Sequence, residues 1–136
     1  MVKLTSEMKN DLSKVKIFPL ATSSGSGEPN VVPIGMLLLQ DDDETVWIID
    51  NFMQKSLQNV NENPSVSFCI WSPETEGAYQ VKGKIMKIET SGPDYEKARD
   101  FAKNKKKELP AKTLLKMKIT SVYSVKPGPT AGAKLL

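Results

Sequence analysis

A chain of 136 residues with 19 Lys and Arg against 16 Asp and Glu, net charge +3, is mildly cationic and fits a single domain with a modest core. No apolar run approaches the ~20 residues of a membrane-spanning helix, and Thr5, Ser6, Glu7, Lys9, Asn10 and Asp11 break up any leader-like hydrophobic region, so a cytoplasmic protein is expected. There is no histidine and one cysteine, which argues against His acid–base catalysis and against zinc or haem-iron sites built from the usual ligands; if the protein is an enzyme, a bound cofactor carries the hard chemistry.

Leu4, Met8, Leu12 and Val15 recur at helical spacing, with Thr5 or Ser6 as cap and Glu7 in the first turn, so an N-terminal helix with an apolar stripe is predicted. Residues 17–22 read as a first strand, in which Pro19 marks an edge or a strand end. Residues 23–30, rich in Gly and Ser, form a hairpin turn. Residues 31–39 read as a second long strand, apolar on both faces and interrupted by Pro33 and Gly35. Two readings stand for that pair: a bulge where a barrel strand bends, or a point where a flat ligand comes close to the backbone. Asp41, Asp42 and Asp43 lack calcium-loop spacing and are expected at a solvated hairpin tip, with no metal bound.

Residues 45–50 form the third strand and run into DNFMQKSLQNVNENP, residues 50–64. A short helix is predicted there, ending at Asn63-Pro64 because the residue before proline resists helical geometry. At roughly 100° per residue, Lys55, Ser56 and Asn59 share one arc and Leu57 and Val60 the neighbouring one. The second arc can pack on a core while the first presents an ammonium, a hydroxyl and a carboxamide. Backbone N–H groups at a helix start favour an anion, so the combination reads as a phosphate seat.

Residues 65–71 are the fourth strand, with Cys69 expected as a buried thiol, and residues 77–90 the fifth, with Gly83 at a bulge or bend. A third helix opens at Ser91-Gly92-Pro93-Asp94, places Tyr95, Ala98, Phe101 and Ala102 on one face, and fades through Lys103, Lys105, Lys106 and Lys107, a run expected to be solvated. Nucleic-acid binding would need a wider basic face with stacking aromatics, and Phe101 is the only aromatic nearby. Residues 114–125 alternate as a last strand, and the Pro- and Gly-rich tail that follows suits no regular structure. Six strands with inserted short helices predict a mainly β, antiparallel closed or split barrel, forming one domain over residues 1–136.

Two stretches carry a resemblance to a known family. The helix start Lys55-Ser56 with Asn59, following a strand, and the strand Pro29-Asn30-Val31-Val32-Pro33-Ile34-Gly35 resemble segments of the FMN-binding split-barrel family, that of pyridoxamine 5′-phosphate oxidase and the small FMN-binding proteins. The likeness runs from about residue 17 to 132 and is weakest in the tail. It implies that Lys55, Ser56 and Asn59 hold the FMN phosphate. By the same likeness Asp50 and Asn51 meet the ring edge or ribityl chain, the backbone of Val32, Pro33 and Gly35 contacts the flavin, and Ile34 lies against the isoalloxazine. It further implies a homodimer whose C-terminal segment, with Thr130, borders the partner's flavin. Pyridoxamine 5′-phosphate oxidase proper uses an Arg and a His near its C-terminus; here there is no His, and Arg99, the only arginine, falls in the third helix. Pyridoxamine oxidation and haem degradation are therefore not expected.

Three functions remain in view. The first is an FMN-binding electron-transfer protein or small flavin oxidoreductase. The second is the same fold holding the deazaflavin F420, and the third is a cofactor-free binding domain.

Overall fold

The computed structural model describes residues 1–136. In chain order the elements are α1 (Ser6–Leu12), β1 (Phe18–Ser23), β2 (Pro29–Ile34), β3 (Leu37–Leu39), β4 (Thr45–Asp50), α2 (Lys55–Glu62), β5 (Ser65–Ile70), β6 (Tyr79–Glu89), α3 (Pro93–Lys105) and β7 (Thr113–Ser124). One antiparallel sheet holds all the strands in the order β2-β1-β5-β6-β7-β4-β3.

The sheet has seven strands where the sequence suggests six, because the expected strand 31–39 is two. β2 pairs with β1 in the register Phe18↔Ile34 to Ser23↔Pro29, and β3 pairs with β4 as Leu37↔Ile48 to Leu39↔Val46. Pro33 has no N–H to donate, and past it the chain turns at Gly35-Met36 and changes partners. Met36 O accepts from Ile49 N at 3.1 Å. The two edges of the sheet are thus consecutive in the chain. A covalent step, rather than a ladder, curls the sheet into a barrel split between β2 and β3. The chain bends at the Pro33/Gly35 pair, and the bend lines a cavity.

The inner faces of the strands make the main core, where Phe18 and Phe68 meet edge to face at 6.0 Å and 88°. Met8, Leu4 and Val15 bring α1 onto it, and Thr5 is the cap, accepting from Met8 N at 3.2 Å. The predicted face of α3 packs as a second cluster, in which Ala98 and Ala102 are buried against Ile49, Ala111 and Leu114 with Tyr95 and Phe101 alongside. Pro19 is at a strand end: β1 pairs with β5 only at Leu20 and Ala21, so Pro19 faces no partner on that side. Gly83 sits at a register shift between β6 and β7, where a Cβ would run into the Lys118 carbonyl and approach Met117 Cε to 2.6 Å. Cys69 is half-buried rather than buried, and desolvation pushes its thiol pKa up, away from nucleophile chemistry.

The tail is more regular than its composition suggests. After turns at Gly128 and Gly132, Ala133 O accepts from Ser124 N at 2.9 Å and Leu135 N donates to Val122 O at 2.8 Å, so the last residues cover β7 beyond the end of β4. No helix is long and apolar enough to cross a membrane.

Candidate functional site

At the split, β2, the Gly35-Met36 step, the β4–α2 connection and the loop after α3 surround an open cavity of about 810 Å³. Val32, Pro33, Ile34, Met36, Ile49, Phe52, Met53, Leu109 and Ile17 give it apolar walls, while Asn30, Asn51, Gln54, Lys55 and Ser56 supply the polar groups. The charged residues lining it are Lys55 and Lys106; no carboxylate does so. Neither lysine joins an ion pair. Such a cavity suits a flat, largely apolar ligand with an anionic end.

The β4–α2 connection is tightly held. Asp50, fully buried at the end of β4, accepts from Met53 N at 2.8 Å through Oδ1, which turns the chain toward the helix. Lys112 Nζ donates to Met53 O at 3.1 Å and lies 3.8 Å from Asp50 Oδ1. Asn51 Oδ1 accepts from Ala111 N at 3.0 Å, and its Nδ2 lies 3.5 Å from Met36 Sδ, tying this connection to the loop before β7 and to the strand switch. The first turn of α2 follows, with no side chain capping it, so its leading N–H groups stay open to an acceptor. Lys55 is exposed at the cavity and Ser56 is buried beside it.

Of the residues expected at a cofactor site, Val32, Pro33, Ile34, Gly35, Asn51, Lys55 and Ser56 line this one cavity. Asp50 does not; its carboxylate serves the turn beneath. Asn59 also does not. It is buried under α2, where its Nδ2 donates to Thr22 Oγ1 at 3.0 Å. The arc of α2 expected to face a ligand is therefore divided: Lys55 points outward, whereas Ser56 and Asn59 turn toward β1 and β2. Thr130 lies in a different hollow, lined by Asp11, Glu76, Tyr79 and Lys126, so within one chain it does not meet the others.

Several lining residues escaped the sequence reading. Asn30, expected at the end of a turn and within the Pro29–Gly35 segment but with no role of its own, reaches Ser56 Oγ at 3.1 Å and Thr22 Oγ1 at 3.3 Å through its Nδ2. Lys106 comes from the lysine run expected to be solvated, and Leu109 from the loop just after it. Phe52, 73% exposed at the rim, stood unnoticed inside the phosphate-seat segment. A polar residue between the two prolines of an otherwise apolar strand is the available signal for Asn30; nothing local marks Lys106.

Fold and cavity together define a split barrel with an open cleft at the strand switch. The sequence profile of the pyridoxamine 5′-phosphate oxidase family matches residues 4–126, and the chain belongs to that family. An uncharacterized protein of Methanocaldococcus jannaschii is 35% identical over 133 residues, 97% of this chain and 87% of its own. Among solved structures, HupZ of Group A Streptococcus superposes with a TM-score of 0.79 at 24% identity, covering 95% of this chain and 99% of that one. An FMN-binding protein from Syntrophomonas wolfei superposes with a TM-score of 0.74 at 19% identity, covering 89% of this chain and 82% of that one. At these identities the two structures speak to the fold alone.

Proposed function

We propose that the protein binds FMN in the cavity at the strand switch and works as an electron-transfer protein or small flavin oxidoreductase. The observation that carries this reading is the pairing, in one cavity, of apolar walls with Lys55 and Ser56 at the open first turn of α2. The residues present fit the group: an ammonium and a hydroxyl suit a phosphate, and Ile34, Pro33 and Met36 offer surface to a planar ring. Bound FMN would supply one-electron or hydride chemistry. The chain would bind the phosphate, orient the ring and keep water off its covered face.

The protein is further proposed to act as a homodimer. Ile17 and Phe52, 58% and 73% exposed, stand at the rim of the open cavity as apolar surface that a second copy would cover. The partner's tail would then bring a Thr130 to the cavity that this chain's own tail does not reach. Arg99 is exposed on α3 and lines no part of the cavity, in keeping with an activity other than pyridoxamine oxidation.

The visible spectrum of the purified protein, followed by titration with FMN and by competition with F420, tests the reading. A flavin spectrum or saturable FMN uptake is expected, together with a dimer mass in sedimentation. A colourless protein that takes up neither cofactor overturns it, and preference for F420 replaces the ligand while keeping the seat.

A further inference from the structure

Beneath the first turns of α2 lies a set of polar side chains hydrogen-bonded to one another. Thr22 and Asn59 are buried and Asn30 is half-buried, and they come from β1, α2 and β2 respectively. Asn59 Nδ2 donates to Thr22 Oγ1 at 3.0 Å; Asn30 Nδ2 donates to the same oxygen at 3.3 Å and to Ser56 Oγ at 3.1 Å. An amide nitrogen has two hydrogens, and a hydroxyl oxygen two lone pairs and one hydrogen. Asn30 therefore spends both its donors inward, and Thr22 spends both lone pairs accepting. Ser56 accepts from Asn30 and keeps its own hydrogen.

Ser56 is 2% exposed yet lines the cavity beside Lys55. Its oxygen is engaged from below by Asn30, and its own hydrogen has no acceptor among the protein's side-chain hydrogen bonds. We propose that Asn30, Thr22 and Asn59 are positioning residues that fix the Ser56 hydroxyl as a donor into the cavity, making the seat selective for a phosphomonoester over an uncharged alcohol. This rests on the cofactor reading above and deepens it. Asn59 then acts from behind the seat, as does Asn30, rather than by touching phosphate. The arrangement is preorganised: the donor is oriented before the ligand arrives, so little ordering is left for binding to supply.

The discriminating probes are FMN and riboflavin, which share the ring and ribityl chain and differ in the phosphate. Affinities of flavin-free protein for both are measured by fluorescence quenching, with thermal unfolding as a check on folding. Asn30→Ala should weaken FMN about tenfold, the scale of one charge-assisted bond, and leave riboflavin within about twofold. Asn30→Asp, equal in size but only an acceptor there, should draw the Ser56 hydrogen inward and weaken FMN further. In a Ser56→Ala background, Asn30→Ala should change the FMN-to-riboflavin ratio by less than about twofold, because the hydroxyl it positions is gone.

Equal losses for both flavins on Asn30→Ala, or an undiminished FMN loss in the Ser56→Ala background, overturn this inference while leaving the cofactor reading intact. Wild-type protein that takes up neither flavin overturns the cofactor reading and this inference with it.

Discussion

Asp50 and Lys112 meet twice at the end of the β4–β7 ladder: Lys112 N donates to Asp50 O at 2.8 Å, and Lys112 Nζ lies 3.8 Å from Asp50 Oδ1. The same ammonium holds Met53 O, and the same carboxylate holds Met53 N. One residue of the cavity wall is thus gripped at both its backbone groups. Asp50 Oδ2 has no hydrogen-bond partner, so Lys112 is the nearest compensation for a fully buried carboxylate. Lys112→Met should cost about 1–3 kcal/mol of stability in urea unfolding, most of it the desolvated charge left behind. Adding Asp50→Asn should restore part of that loss, and a double variant less stable than Lys112→Met alone would refute the account.

Lys55 has no protein partner and lines the cavity. Its replacement by Ala should leave stability nearly unchanged and weaken FMN binding by about 1.5–3 kcal/mol. Because one partner is exposed, the effect should shrink as salt is raised. Calorimetric titration at low and high salt reads both, and unchanged affinity at low salt would place the phosphate elsewhere.

The pH dependence of folding should centre on Lys116, whose Nζ lies 2.6 Å from Asp94 Oδ2 and 2.8 Å from Glu89 Oε2. The hydrogen bond from Lys116 holds both carboxyl pKa values below their ordinary range and, from the other side, raises that of the ammonium. Folded carboxyl values lower than unfolded ones mean that the unfolded chain binds protons first as pH falls. Their stabilisation is complete above about pH 5 and is lost as pH drops through the lowered values. The lysine's contribution is complete below its ordinary 10.5 and is lost only at higher pH, through the raised value. Melting temperature should fall from pH 6 to pH 3, and the fall should be shallower in Lys116→Met. Identical slopes for the two proteins would show that the cluster contributes nothing.

Gly83 is required by space rather than by φ. A methyl group there meets the Lys118 carbonyl across the β6–β7 register shift. Gly83→Ala should destabilise the barrel by about 1–3 kcal/mol, as overpacking does. Gly27, with φ +91° in the turn before β2 and open space around it, should also lose stability on substitution, but through backbone strain alone. Urea midpoints of the two alanine variants compare the mechanisms, and a Gly83→Ala midpoint equal to wild type would remove the steric argument.

Much of this was legible from local pattern. The stripe of Leu4, Met8 and Val15, the alternation in β6 and β7, Pro64 closing α2, and the Lys55-Ser56 start of that helix each follow from neighbours a few residues apart. Residues 31–39 misled as one strand because their apolar run shows no change at Gly35-Met36, where the partner strand changes. Asn59 misled because helical spacing says which residues share an arc and not which way the arc faces. Its direction is set by Thr22, 37 residues earlier.

Taken alone, the sequence determined most of the elements and the family resemblance, because helix and strand preferences act over one or two turns of chain. The tertiary structure decided where the barrel splits, that Asp50 and Asn59 face inward, that Asn30 lies under Ser56, and that Lys106 from a distant loop lines the same cavity as Lys55. Those facts depend on strand register and on which edge each strand joins. Both are set by the packing of the whole sheet, which no local window of residues contains.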